Sequence, residues 1–379
     1  MRRILILGGG FGGLAAAHRL RAGLDAADEV LLVDRRAHFM MGFRKSWGLV
    51  GEAPLEAGQR PLSALDAFGI RFRQGTLTGL DPAGRAVEVD GERIEADALI
   101  VALGVELAPE LVPGLPEFGF NVYDPQAIPR AAAALRDFRG GRVGLGIFGT
   151  PYKCPPAPFE MALLMHHAFK ARAVAAALEV FSPLPLSMPI LGEAGCNVID
   201  SRLAEVGIGF LANHKATAVE NGEVVFANGQ RRAYDLLLAV PPHRAPAVVR
   251  ESGLTRGGAW VPVDARTLRT EFPGVYAVGD VVEIKMANGK PLPKAGVFAE
   301  AMGRAAAEGI LASLAGREPA ERFEGNGGCF LETGPGEALM VTGEFLAEPA
   351  PQVRLTEPSR AYFDEKRAFE AERLKAWLA

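Results

Sequence analysis

The chain opens with four consecutive apolar residues, Ile4-Leu5-Ile6-Leu7, a run without alternation. That pattern predicts a parallel strand covered on both faces rather than one half open to water. Glycines follow at once, then Leu14 to Leu20 as a helix and Val30 to Val33 as a second buried strand closing on Asp34. Leu62 to Phe68 reads as a short helix. Ile70–Leu80, Ala86–Val89 and Arg93–Ile94 read as a small antiparallel meander, broken at Asp81-Pro82-Ala83-Gly84 and Asp90-Gly91. Ala98 to Gly104 is another buried strand running into glycine.

From Glu106 the pattern starts again. Helices are predicted at Pro129–Phe138, Phe159–Ala177 and Asn197–Val206, with strands at Arg142–Phe148, Leu178–Phe181 and Ile208–Leu211. A hairpin around Asn228-Gly229 and a buried strand, Tyr234–Val240, end this unit at Pro241-Pro242. The chain then returns with a strand ending in Gly279-Asp280 and a small-residue helix, Gly296–Leu314. A tail of different character follows: Cys329–Leu331, the turn Gly334-Pro335-Gly336, Ala338–Phe345 and a charged helix from Ser359. The fold class is α/β, one unit inserted in another. Residues 1–105 with 262–320 form the first domain, 106–261 the second, and 321–379 a C-terminal hairpin and helix.

Length and composition change this picture little. At 379 residues, 49% hydrophobic and 23% charged, the chain has globular values and room for a core. A net charge of −4 gives no reason to expect nucleic acid. No apolar run reaches the length of a spanning helix. The first strand begins by residue 3, which predicts no cleaved leader and a cytoplasmic protein. Three cysteines in such a protein are not a disulfide framework.

Chemistry enters with Gly8-Gly9-Gly10-Phe11-Gly12-Gly13, which fits GxGxxG through Gly8, Gly10 and Gly13. Its glycines serve a tight turn, the approach of a pyrophosphate and close packing of helix on strand. The helix N-terminus offers unpaired N–H groups and positive potential to phosphate, and Asp34 is placed to hold ribose hydroxyls. Strand, helix, second strand and terminal acid together predict a dinucleotide site. Arg35 and Arg36 read as a solvated turn. In the second unit, Gly144-Leu145-Gly146-Ile147-Phe148-Gly149 matches GxGxxG formally. Thr150-Pro151-Tyr152-Lys153-Cys154-Pro155-Pro156-Ala157-Pro158 follows, and its four prolines remove N–H donors and forbid a phosphate-cradling turn. The next strand ends Phe181-Ser182-Pro183, without an acid. This unit is expected to be a nucleotide fold that has lost its nucleotide. His166-His167 are adjacent and cannot share a metal from one helix, and no spacing suggests zinc, so no metal is expected.

Four stretches together resemble the flavin disulfide-reductase superfamily: Gly8–Gly13 with Asp34, the strand end Ala102-Leu103-Gly104, Tyr276-Ala277-Val278-Gly279-Asp280, and Lys294-Ala295-Gly296 with its helix. The resemblance implies two Rossmann-like (FAD/NAD(P)-binding type) domains and FAD as the dinucleotide. Asp280 is implied as the partner of the ribityl chain, and the helix at Gly296 as the positive end facing the flavin N1/C2 edge. Ala102-Leu103-Gly104 departs from the commoner Ala-Thr-Gly, so a hydroxyl contact there is missing. The segment Lys153–Glu160 is similar to that carrying a redox cysteine in sulfide:quinone oxidoreductases and flavocytochrome c sulfide dehydrogenases, and Gly327–Glu332 resembles the segment of their second cysteine. By this resemblance Cys154 and Cys329 form the redox pair at the flavin, with Cys329 nearer the ring. Cys196 falls outside the pattern as a buried thiol. Met40-Met41-Gly42-Phe43 holds no cysteine where some relatives attach flavin, so FAD is expected to be non-covalent.

The implied reaction is attack of hydrosulfide on a Cys154–Cys329 disulfide and passage of two electrons to FAD, then to a quinone. Lys294 is the expected positive charge beside reduced flavin. Glu160 is the candidate proton carrier, its alternative an exposed glutamate favoured by the helix dipole. Ser359–Ala379 carries Tyr362, Phe363, Phe369, Leu374, Trp377 and Leu378 on one broad face, suited either to peripheral contact with the inner membrane face or to packing on its own domain or a dimer mate. The competing readings are a type II NAD(P)H:quinone dehydrogenase, a cytochrome-linked sulfide dehydrogenase flavoprotein, and an electron-relay protein without turnover.

Overall fold

The computed structural model describes residues 1–379. In chain order, β1 (Arg3–Leu7), β2 (Glu29–Asp34), β3 (Arg71–Gln74) and β4 (Ala98–Val101) begin one sheet. The strands β5 (Phe120–Asn121), β6 (Gly141–Ile147), β7 (Ala176–Phe181), β8 (Gly209–Leu211) and β9 (Leu236–Val240) build a second, and β10 (Val275–Ala277) returns to the first. Both sheets are parallel, with strand orders β10-β4-β1-β2-β3 and β5-β9-β6-β7-β8. This is the doubly wound arrangement, in which the chain reverses direction beside the first strand and opens a crevice at the strands' C-terminal ends. Continuous apolar runs explain it: Ile4 to Leu7 and Leu99 to Val101 are each fully buried, packed with helix residues such as Leu14 and Ala306 and with Val87, Val89 and Ile94 of an antiparallel meander.

The helix α1 (Phe11–Gly23) follows β1. Later come α2 (Arg44–Val50), α3 (Ala157–Ala171), α4 (Gly296–Leu314) and α5 (Arg360–Leu378). A Cβ placed on Gly303 of α4 would lie 2.1 Å from the Gly12 carbonyl oxygen, so α1 and α4 cross backbone to backbone at these glycines. Gly303→Val must push the two helices apart. We expect a loss of about 1–3 kcal/mol by thermal or denaturant unfolding; an unfolding curve superimposable on the parent's would refute this reading of the crossing.

The strands β11 (Asn326–Gly334), β12 (Glu337–Glu344) and β13 (Gln352–Leu355) form an antiparallel sheet under α5. Several sequence expectations are corrected. Arg71–Gln74 leaves the predicted meander and forms the edge of the first parallel sheet, paired with β2. The helix predicted to Ala177 ends at Ala171, because Ala173 turns the chain with a left-handed φ of 54° and β7 starts at Ala176. The C-terminal helix is not a free amphipathic surface. Phe363, Leu374, Trp377 and Leu378 are buried in the protein's own core, and Ser359 caps the helix by accepting from the Tyr362 N–H.

Candidate functional site

The C-terminal ends of the first sheet gather the residues picked out by pattern. Gly8 has a φ of 105°, and a Cβ there would lie 2.4 Å from the Ala102 carbonyl oxygen, so only glycine fits the turn after β1. Gly10 faces open space, with nothing within 4 Å of an added Cβ, and Gly104, also left-handed, does the same beyond β4. Gly13 packs on the Gly8 carbonyl and Gly12 on Ala299. Asp34 ends β2, where its carboxylate accepts from the Gly9 N–H at 2.7 Å and from the backbone and guanidinium of Arg36. Arg36 is therefore tied to Asp34, not merely part of a solvated turn. Burial opposes ionisation of Asp34, but these bonds outweigh it and hold its carboxyl below the ordinary range. A carboxylate has about four lone-pair sites and these four bonds use them all, so ribose hydroxyls reach Asp34 by displacing the exposed Arg36 guanidinium, which holds two of them.

At the far end, Gly279 has a left-handed φ of 77°, and Asp280 is half-buried, with its Oδ1 out of contact with solvent and unpartnered. The helix α4 starts at Gly296 after Ala295, without a side-chain cap, so its first N–H groups stay available to a ligand. An open glycine cradle, a ribose acid, an orphaned buried carboxylate oxygen and an uncapped helix end fit FAD lying across the crevice. Phe11 packs against Gly296 and forms edge-to-face pairs with Phe39 at 5.6 Å and Trp377 at 5.5 Å.

The second GxGxxG does not reproduce this cradle. Gly144 and Gly146 lie inside β6 rather than after it. Their faces are filled by Tyr234 and by Phe181 with Phe148, and Gly149 abuts Pro242. The glycines of this lobe give space to aromatic packing.

Cys154 stands in the loop between β6 and α3 with a left-handed φ of 53°, at a cost of about 1–2 kcal/mol for a residue bearing a Cβ. Its N–H donates to the Lys294 carbonyl at 2.7 Å, and its own carbonyl accepts from the Tyr123 hydroxyl at 3.1 Å and the Ala157 N–H at 3.0 Å. Cys329 lies on β11 and lines an apolar cleft with Pro155, Pro156, Met188, Ile190 and Phe298. Both cysteines are free thiols of intermediate exposure. Burial, then the Glu160 carboxylate, pushes Cys154 up to about 11, while Lys45 and Lys366 pull the other way. Burial, Cys154 and Glu160 push Cys329 up as well. Cys196 is fully buried and donates from Sγ to the Met188 carbonyl at 3.1 Å.

Lys294 lines a cavity with Gly279, Asp280 and Ala295. Its Nζ donates to the Asp280 and Val282 carbonyls at 2.5 and 3.1 Å and sits 3.6 Å from the centroid of Trp260. Burial brings it down to about 8. Its backbone and side chain thus join the Cys154 loop to the end of β10. Glu160 is not an exposed helix-start glutamate: it is buried, and its Oε2 accepts from Lys366 at 2.8 Å and from the Glu332 N–H at 3.0 Å. Lys366 also donates to Glu332 Oε1 at 2.9 Å, which accepts from Trp47 Nε1 at 2.6 Å. Lys45, 9% exposed, donates to the Gly42 carbonyl at 2.6 Å, and burial with the nearby Lys153 pushes it down to about 7. Sequence reasoning missed Lys45, Glu332 and Lys366. The available signal was Lys366 and Glu370 sharing the helical stripe of Phe363, Leu374 and Trp377.

The family model described as pyridine nucleotide-disulphide oxidoreductase matches residues 2–142 and 162–303. The chain belongs to this family. Within it, a mouse mitochondrial sulfide:quinone oxidoreductase is 24% identical over 364 residues, covering 91% of this chain and 79% of its own. An Aquifex aeolicus sulfide-quinone reductase is 25% identical over 342 residues, covering 82% and 76%. An Arabidopsis thaliana alternative NAD(P)H-ubiquinone oxidoreductase is 27% identical over 332 residues, covering 77% and 63%. The crystal structure of the Aquifex aeolicus sulfide:quinone oxidoreductase superimposes with a TM-score of 0.88 at 22% identity, over 98% of this chain and 90% of that one. The family assignment and the Rossmann-type fold agree with the sequence expectation, and the mouse and Aquifex aeolicus relatives carry sulfide:quinone oxidoreductase names. The protein is a flavoprotein oxidoreductase, and its cofactor is FAD. No helix is long and apolar enough to cross a membrane, and no cluster of side chains is suited to a metal ion.

Proposed function

We propose that this family member oxidises sulfide, or a related small sulfur species, through Cys154 and Cys329 and passes the electrons through non-covalent FAD to a quinone. One observation carries the reading: the loop that replaces a phosphate cradle in the second lobe mounts Cys154, and the two residues after it, Pro155 and Pro156, line the same apolar cleft as Cys329. The named relatives support it. FAD supplies the two-electron acceptor when bound. The chain's own residues do the rest: Cys154 and Cys329 exchange sulfur bonds, Asp34 and Asp280 hold the cofactor's hydroxyls, and the N-terminus of α4 stabilises negative charge. The apolar cleft ending at Cys329 favours a small neutral entrant over a charged one. We further propose residues 1–105 with 262–320 as the FAD-binding domain, 106–261 as its degenerate counterpart and 321–379 as the cover over both. With the apolar stripe of α5 spent on packing, any peripheral membrane contact or homodimer must use another surface.

The NAD(P)H:quinone dehydrogenase reading is favoured by the plant relative's name and opposed by Gly144 and Gly146 lying within β6. Anaerobic mixing decides between them. Sulfide is expected to bleach the yellow protein within the dead time of manual mixing, and NADH to leave it yellow. Bleaching by NADH alone would reverse the assignment.

A further inference from the structure

Lys366 and Lys294 are both buried, but in opposite surroundings. Lys366 is 1% exposed and lies between the carboxylates of Glu160 and Glu332. Lys294 is 7% exposed and forms no salt bridge. Its Nζ donates to the Asp280 and Val282 carbonyls and rests 3.6 Å from the centroid of the Trp260 ring. A carboxylate partner cancels the charge it stabilises. Neutral partners do not: carbonyl dipoles and the negative face of an indole hold an ammonium while its full positive charge still acts on its surroundings. Away from water that charge is felt more strongly than in bulk solvent.

The cage has a fixed frame. Trp260 is 7% exposed, and the residue after it opens a short parallel pairing of Val261–Pro262 with Val282–Glu283. The indole is thereby tied to the strand that supplies the Val282 carbonyl. The second carbonyl belongs to Asp280, whose carboxylate oxygen is one of the features that fit FAD. Lys294 stands just ahead of Gly296, the uncapped start of α4, and lines its cavity with Gly279, Asp280 and Ala295. The charged groups around it are Asp280 and Glu283, with Lys153 bridged to it along the backbone. The two carboxylates favour the ammonium and burial opposes it more strongly, so the indole contact adds support that charge alone does not give.

We propose that Trp260 is the positioning residue for Lys294: its indole face stands in for a counter-ion, so that an uncancelled ammonium is kept beside FAD and favours the reduced, more negative form of the cofactor. The inference rests on FAD as the cofactor and on Lys294 as the positive charge expected beside it. It makes no use of the sulfide chemistry. Trp260 acts on the cofactor only through Lys294.

The test is an equilibrium measurement on the holoenzyme. Parent and variants are reduced slowly without air by xanthine and xanthine oxidase, together with a two-electron reference dye. The ratio of reduced to oxidised flavin is read from the visible spectrum at a fixed dye ratio, where tenfold corresponds to about 30 mV. We expect Trp260→Leu to lower the ratio about tenfold, the scale of a desolvated ammonium–indole contact. Trp260→Phe keeps a weaker aromatic face and should lower it about threefold. Lys294→Met should lower it by roughly tenfold or more, and in that background neither Trp260 change should shift it further. A Trp260→Leu ratio equal to or above the parent's overturns the inference. So does an equal fall in both backgrounds, which makes the indole a matter of packing. If Trp260→Leu does not retain FAD, Trp260→Phe completes the same cycle and decides on the same terms. A Lys294→Met ratio equal to the parent's takes Lys294 away from the ring, and this inference with it. Sulfide bleaching is read separately, and none of these outcomes touches it.

Discussion

Cys154→Ser is expected to retain the yellow cofactor and to lose sulfide-dependent bleaching by roughly 10³-fold or more, the scale on which removing a covalent nucleophile usually acts. Cys329→Ser should fall as far, because either change leaves a single sulfur with no partner to exchange with. Cofactor retention follows from where the proposed FAD contacts lie: Gly8 to Gly13, Asp34 and Asp280 stand at the ends of β1, β2 and β10, and none depends on either sulfur. The variants should therefore keep the parent's visible spectrum and melting temperature, with stopped-flow absorbance reading the loss. Cys196→Ser is the control. Its thiol is buried against Met188, and it should bleach at the parent rate. Rapid bleaching of Cys154→Ser by sulfide would end the proposed chemistry.

Lys366→Met should cost the fold about 3–5 kcal/mol, the penalty for breaking a buried ion pair by removing one partner. The side chain fits in volume, so the loss is electrostatic: Glu160 and Glu332 remain buried without their cation. Its sign with pH follows from linkage. In the parent, burial opposes the Lys366 charge, but Glu160 and Glu332 outweigh it and raise its pKa above the ordinary 10.5. That stabilisation is fully present below about pH 10.5 and is lost as pH rises through the raised value. In the variant the raised group is the carboxylate pair. Its folded form binds protons more tightly than the unfolded chain, so the deficit is largest at neutral pH and shrinks toward the ordinary glutamate value of 4.5. Urea unfolding at pH 7.5 and pH 5 measures both limbs. A deficit that is the same at the two values would place the role of Lys366 in packing.

The first sheet was legible because each of its signals is local. Ile4–Leu7, the glycines and Asp34 lie within one strand–helix–strand unit, and hydrophobic period and turn chemistry specify such units without distant information. Gly296–Leu314 was legible for the same reason, as one uninterrupted helix rich in small residues. The second glycine motif was legible in the same way: the strand predicted at Arg142–Phe148 already contains Gly144 and Gly146, and the observed strand runs Gly141–Ile147. Arg71–Gln74 was taken for meander because a short edge strand carries too little apolar pattern to reveal its sheet. Glu160 and Lys366 stand 206 positions apart, and Trp47 and Glu332 stand 285 apart. No periodicity reports a pairing of that range. The helix carrying Lys366 showed its stripe of Phe363, Leu374 and Trp377, but a stripe alone does not say whether lipid, a partner or the protein's own core will cover it.

Cys154 is fastened by its amide hydrogen to the loop before α4 and by its carbonyl to Tyr123 and to the start of α3. Its main chain is thus moored from both lobes at once, and the reach of the sulfur reduces to rotation about the Cα–Cβ bond. In the proposed reaction, passing sulfur at this station would take a swing of one torsion, quick compared with any loop excursion, over a span fixed by geometry that solvent viscosity should barely touch.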